Sequence, residues 1–213
     1  MTKIELVTVQ PGDSTALNAA IACYWKANME LSGKALNPRF SDTEVIAQMK
    51  LRIDPRLIDG FSQQFERCVA EGHIITAVDA TGKTIGIAGY MVVSSDNLNI
   101  KDGRSETVAL INYFKLLEHH DDVSTAQRLL TATLDLVSQR SVTRIVYGKM
   151  PGESPESLSI DNLFGRQKFG FEAHTTAPLL KPPGYLMIAG INGAYNALGI
   201  QKIGKFRQPE LKL

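Results

Sequence analysis

The stretch HIITAVDATGKTIGIAGYMVVSS, residues 73–95, holds two apolar runs of period two on either side of DATGK. Alternation of that kind sends successive side chains to opposite faces of a sheet. Gly82 suits a tight turn, so the stretch predicts an antiparallel hairpin. On its second strand Ile85, Ile87, Gly89, Met91 and Val93 are expected to share one face. Gly86 and Ala88 leave room on the other face for a packed helix or a close backbone approach.

The flanking segments supply helices and further strands. KIELVTV alternates Ile4, Leu6 and Val7 or Val9 with polar residues, and PGDS then breaks the strand and offers Asp13 or Ser14 as a helix cap. Leu17, Ile21, Tyr24 and Asn28, widened by Ala20 and Trp25, form one face of the helix that follows, which Gly33 and Pro38 end. SDTEVIAQMKLRID opens with a capping box of Ser41 and Glu44 and carries Val45, Met49 and Ile53 on one stripe, with Pro55 interrupting it. After the hairpin and the polar loop DNLNIKDGRSE, TVALINYFKLL reads as a third central strand. Val123, Ala126, Leu130, Leu134 and Val137 then mark a helix.

TRIVYGKM is a further strand, LSIDNLFGRQKFGF a helix, and EAHTTAPLLKPPGYLMIAG two strands around KPPG. Phe164 and Phe169 are expected to lock that last helix onto the sheet, Gly170 to end it and Phe171 to start the next strand. The order β-α-α-β-β-β-α-β-α-β-β describes one α/β domain over residues 1–190, with helices on both faces of a mixed sheet. Residues 191–213 form a glycine-rich, intermittently basic C-terminal extension.

Length and composition fit this reading. With 213 residues, 44% of them hydrophobic, the chain can bury one sizeable core. A formal net charge of +1 makes no general electrostatic case for nucleic acid. Cys23 and Cys68 stand in no metal-ligand spacing and read as buried free thiols. No apolar run approaches the roughly 18 residues of a membrane helix, and the N-terminus lacks an apolar signal core, so an intracellular, soluble protein is the expectation.

The element order, with a helix after the third central strand and LF…FGFE closing the next helix, resembles the GNAT acyltransferase superfamily over roughly residues 3 to 189. The resemblance implies a GNAT-like fold and an acyl-CoA site in which the N-terminus of the helix after the third strand binds pyrophosphate. The family's pattern there is Gln or Arg, two residues, Gly, one residue, Gly or Ala. Counting back from Leu129 and Leu130 puts Asp121, Ser124 and Ala126 on those positions, and only Ala126 fits. Asp121 and Asp122 suit a helix cap and oppose a pyrophosphate. Where the family often places a tyrosine four residues before the glycine of GF, this chain has Arg166, which cannot act as a general acid.

Glu118, His119 and His120 form a titratable cluster at the end of the third strand, able to deprotonate an amine or simply to face solvent. Two adjacent histidines on a strand point apart. Tyr147 is a substitute acid candidate, or core packing. His73 and His174 match no ligand spacing and read as ordinary strand-end residues, and no metal site is expected.

Two functions follow from the resemblance and its departures. Loss of both expected chemical positions points to a non-catalytic interaction or assembly domain that requires no cofactor. Degenerate GNAT-like proteins of this kind resemble those encoded beside bacteriophage structural genes, so a virion component is one version. The alternative is an active acyl-CoA-dependent N-acyltransferase. There the backbone after Leu116 would hold pantetheine, the N–H groups of Val123, Ser124, Thr125 and Ala126 would meet pyrophosphate, and Glu118 or His119 would act as base. Tyr195, Leu198, Ile200, Ile203 and Phe206, amid Lys202, Lys205 and Arg207, either strap their own domain or dock on another chain, a second copy or a virion partner.

Overall fold

Among the described residues, the hairpin around Gly82 supplies the second and third strands of a seven-stranded sheet. The computed structural model describes residues 4–98, 100, 105–149, 171–177 and 184–199. Strands β1 (Glu5–Thr8), β2 (Ile74–Val78), β3 (Thr84–Ser94), β4 (Thr107–Leu116), β5 (Arg144–Lys149), β6 (Glu172–Ala177) and β7 (Gly184–Gly190) lie in the order β1-β2-β3-β4-β5-β7-β6. Among the described residues every strand pairing is antiparallel except β4 with β5. Gly82 sits at φ +83°, the left-handed conformation that makes glycine the turn residue here.

Helices cover both faces. α1 (Ser14–Leu31), α2 (Asp42–Arg52) and α3 (Pro55–Ala70) precede the hairpin, α4 (Val123–Ser138) connects β4 to β5, and α5 (Ile191–Ala197) follows β7. Asp13 caps α1 by accepting from the Ala16 N–H, and the capping box of Ser41 and Glu44 is present at α2. Helix α3 corrects the sequence reading, in which Pro55 only interrupts. Pro55 opens a helix of 16 residues, with the Asp54 carboxylate accepting from the Arg56 N–H at 2.9 Å. Aspartate followed by proline is a cap and a first helical residue, and proline's missing N–H is no loss in the first turn.

α4 packs on one face of the sheet through Ala126, Leu129, Leu130, Leu134 and Val137, all fully buried with Ala88, Tyr90, Ile111 and Leu116. Each of those leucines contributes about 1.5–3 kcal/mol by burial. On the opposite face α1 and α3 bury Ile21, Phe65 and Val69 against Ile74, Ile87 and Tyr113. Tyr113 anchors that side, its ring 4.8 Å from Phe65, 5.5 Å from Phe61 and 5.7 Å from Tyr24. Cys23 and Cys68 are buried free thiols, pushed up by burial to about 12 and about 11.

Two bulges reset the faces. Ala77 pairs with Gly86 but Val78 with Thr84, so Ile85 is an extra residue and packs in the α4 core rather than with Ile87 as the alternation suggests. Gly89 pairs with Tyr113 but Tyr90 with Ile111, so Asn112 is the extra residue of β4 and Tyr113 turns to the α1 and α3 side. Gly86 provides the anticipated close approach: a Cβ there would meet Leu116 Cδ2 at 2.5 Å and Leu129 Cδ1 of α4 at 3.1 Å.

Phe171 is fully buried in the α4 core. Phe164, Arg166, Phe169 and Gly170 lie outside the described residues. The segment beyond Gly190 begins on the domain, because Ile191, Ala194 and Tyr195 join the α4 core and the Tyr195 hydroxyl donates to Asp135 Oδ1 at 2.7 Å. No helix among the described residues is long and apolar enough to cross a membrane.

A Cβ at Gly89 would lie 2.4 Å from Ile74 Cδ1 and 3.0 Å from Tyr113 Cδ2, whereas Gly60, inside α3, has nothing within 4 Å. Gly89→Ala is therefore expected to lower unfolding free energy by about 1–3 kcal/mol. Gly60→Ala is expected to raise it by about 0.5–1 kcal/mol. Urea denaturation of the two variants checks both signs.

Candidate functional site

The parallel pair in the sheet sets the location to examine. In open α/β sheets, ligands bind beyond the carboxyl ends of parallel strands, where a helix N-terminus faces the crevice. Here residues 108–111 of β4 pair with 144–147 of β5, and the pairing stops there. β4 runs on to Leu116 along β3, and β5 runs on to Lys149 along β7, so the two strands part below the N-terminus of α4.

The backbone that leaves β4 is closely engaged. The Leu117 N–H donates to the Ile85 carbonyl at 2.9 Å, and the Glu118 N–H to Glu30 Oε2 of α1 at 2.9 Å. The His120, Asp121 and Asp122 N–H groups donate to the carbonyls of Leu117, Glu118 and His120. Glu118–His120 is a 3-10 turn, not the strand end read from the sequence. The two histidines consequently do not alternate across a sheet. Glu118 and His119 are exposed, and His120 lies near the β2–β3 turn. There the Thr81 hydrogen bond pulls the Asp79 carboxyl below its usual range.

At the start of α4, Asp122 is the cap that the sequence suggests. Its Oδ1 accepts from the Thr125 N–H at 2.9 Å and its Oδ2 from the Thr125 hydroxyl at 2.7 Å. The Ala126 N–H makes the first helical bond, to the Asp122 carbonyl at 3.1 Å. Of the four residues whose N–H groups could meet a pyrophosphate, Thr125 and Ala126 are buried and already engaged, while Val123 and Ser124 occupy the positions that lack an intrahelical acceptor. Leu116, on the strand side, is 1% exposed and its side chain belongs to the α4 core.

Tyr147 is also in that core, 8% exposed, and its Cα partners are Ile111 and Met187. Glu118 lies seven residues past Ile111 along β4 and the following turn, roughly 20 Å away at strand rise. Tyr147 and the Glu118–His120 turn are therefore not assembled into one acid–base pair. Glu30 is the participant that sequence reasoning missed, since nothing local to α1 announces a carboxylate reaching across to residue 118. Among the described residues no group of three or more His, Cys, Asp or Glu side chains could hold a metal ion.

No family model and no curated protein matches the sequence. Solved structures do. A PaiA N-acetyltransferase from Thermoplasma acidophilum in complex with coenzyme A aligns over 88% of this chain and 99% of its own, at 10% identity and a TM-score of 0.56. A chain of the NatC complex bound to Gag peptide and CoA aligns over 88% and 98%, at 13% identity and a TM-score of 0.54. An aminoglycoside 6'-acetyltransferase type Ii aligns over 88% and 97%, at 12% identity and a TM-score of 0.53. The chain therefore has the GNAT acetyltransferase fold, a mixed sheet with helices on both faces, as its element order indicates.

Replacing Asp122 tests the cap. Asp122→Ala removes both contacts to Thr125 and is expected to cost about 1 kcal/mol of unfolding free energy, read by urea denaturation.

Proposed function

We propose that this chain is a non-catalytic interaction module built on the GNAT fold, with a degenerate acyl-CoA site. The observation that carries this reading is the Asp122 carboxylate seated on the α4 N-terminus, holding both the N–H and the hydroxyl of Thr125. A helix N-terminus favours an anion by about 0.3–1 kcal/mol. A carboxylate and a phosphate about 5 Å apart repel by about 0.8 kcal/mol in water and by about 3 kcal/mol at a protein-surface dielectric. One carboxylate thus offsets the helix's attraction, and Asp121, Glu118 and Glu30 stand on the same turn or hydrogen-bond to it.

In this reading no cofactor is required, and the function lies in assembly with another chain. Because residues 191–197 pack on the domain, the partner-binding segment is residues 200–213, where Ile203 and Phe206 would enter an apolar groove with Lys202, Lys205 and Arg207 at its rim. The partner is a second copy or, in the narrower version, a bacteriophage virion component. The parting of β4 from β5, and the coenzyme A in two structures of this fold, favour a second reading as an acyl-CoA-dependent N-acyltransferase. Val123 and Ser124 would then meet the pyrophosphate, and Glu118 or His119 would serve as base.

Acetyl-CoA titration followed by thermal shift separates the two. The module reading expects no change up to about 1 mM acetyl-CoA, whereas a site with a Kd of about 10 μM would add about 2.7 kcal/mol. A saturable shift accompanied by acyl transfer to an amine would overturn it. Deleting residues 200–213 is expected to leave the melting temperature unchanged and to turn a self-associated form into monomer in size-exclusion chromatography with light scattering. A lower melting temperature with unchanged assembly would sink the assembly role of that segment.

A further inference from the structure

Toward the other end of β4, where Arg144 opens β5 opposite Val108, roughly 26 Å along the strand from Leu116, the chain leaving α3 meets the chain leaving α4. Arg140, just past α4, donates from Nη2 to the Glu71 carbonyl just past α3, at 2.7 Å. This contact ties the two helix ends together across the sheet. Beside it lies a cavity of about 640 Å³ whose walls include Glu71, His73, Arg140, Ser141, Val92 and Val142.

His73 lines this cavity, and Tyr90 packs directly on His73 behind it. His73 is 3% exposed and Tyr90 1%, and their rings stack with centroids 4.3 Å apart and planes at 26°. His73 Nδ1 and the Tyr90 hydroxyl are both buried without a hydrogen bond. Glu71 Oε2 comes to 3.2 Å of His73 Nδ1, a hydrogen-bond distance without hydrogen-bond direction. The Arg140 guanidinium stands near the Tyr90 hydroxyl, opposing the upward push of burial on its pKa, again without completing a bond. Burial pulls the His73 pKa down, so the imidazole is neutral at pH 7 and offers one donor and one acceptor. Buried polar atoms are nearly always satisfied, and two neighbouring exceptions lining or adjoining a cavity ask for something inside it.

The charges around the cavity balance. Arg140 uses one guanidinium donor on the Glu71 carbonyl and keeps others for a ligand. Glu71 brings one carboxylate, and the next carboxylate along the sheet end, Glu106, is held by Arg144 at 2.8 Å and by the Thr143 hydroxyl at 2.8 Å. A simple anion here would lie against Glu71, and a simple cation against Arg140. A molecule with both charges a few ångströms apart meets neither penalty.

We propose that this cavity is a binding site for a small zwitterion, an aliphatic α-amino acid, with its carboxylate on Arg140, its ammonium on Glu71 and its side chain over Val92 and Val142. The site is remote from the α4 N-terminus and does not depend on whether acyl-CoA binds there. Its occupancy is open to regulation by amino-acid concentration.

The test uses the full chain and L-leucine, L-isoleucine and L-valine as probes, beside 4-methylpentanoate and 3-methylbutylamine, which are leucine without its ammonium and without its carboxylate. Calorimetry and the NMR signals of His73 and Tyr90 provide the readouts. Saturable binding of at least one amino acid is expected, with both ring signals shifted. With leucine as ligand, each single-charge analogue should bind at least tenfold more weakly. Arg140→Met and Glu71→Gln should each weaken binding at least tenfold. Glu71→Gln keeps the test informative if Arg140→Met fails to fold, because the Glu71 side chain is 64% exposed and its carbonyl remains in place. Equal binding of either analogue would overturn the proposal, and so would no binding of any of the three amino acids, which would leave water as the cavity's occupant.

Discussion

The close approach of α4 to the hairpin at Gly86 is the contact on which the rest of this domain depends. Leu116 of β4 and Leu129 of α4 fill the space a side chain at Gly86 would take, so the helix, the hairpin and the third central strand are fixed by one interlocked group of atoms. That group also sets where the chain can go next. With α4 packed on β2 and β3, the chain returns from it into β5, which runs parallel to β4. β7 and β6 then add on the far side of β5, and α5 closes over α4 through Tyr195 and Asp135.

The elements with local signals are legible in the sequence. Period-two alternation with Gly82 gave away the hairpin, serine followed three residues later by glutamate marked the start of α2, and the Asp122 cap was readable from the acids preceding an apolar helical stripe. Helix α3 has a misleading local signal, because proline reads as a breaker where the aspartate before it makes a cap. The bulges at Ile85 and Asn112 carry no local signature at all. They arise from fitting twisted neighbouring strands against two different helix layers, so they shift the faces of Ile85 and Tyr113 in a way strict alternation cannot foresee.

The site divides along the same line. That the α4 N-terminus is acidic and lacks glycine was visible in the sequence, and the structure shows what the acid does, which is to hold Thr125. The engagement of the Glu118 N–H by Glu30 was beyond reach, since it joins residues 88 apart in the chain. His73 reads from the sequence as an isolated strand-end histidine, and it does stand directly before β2; folding also buries it on Tyr90 and puts Glu71 and Arg140 around it. Glu71 and His73 are near neighbours in the chain, but Tyr90 and Arg140 are not, and only the meeting of two helix ends makes the four a group.

Hydrogen-bonding capacity is distributed unequally between the two ends of the sheet, and that asymmetry links the two functional readings. Where β4 passes into α4, the N–H groups of Leu117, Glu118, His120, Asp121, Asp122, Thr125 and Ala126 all donate within the protein, which leaves little for a ligand to displace without breaking a native bond. Where α3 and α4 end, His73 Nδ1 and the Tyr90 hydroxyl are buried without a completed hydrogen bond, His73 lining a cavity that Arg140 and Glu71 also wall. Recognition requires groups that gain more from a ligand than from the fold or from water. By that criterion the start of α4 keeps only the Val123 and Ser124 N–H groups without an intrahelical acceptor, beside the Asp122 carboxylate, whereas the cavity beside Arg140 and Glu71 is the site we propose for a ligand.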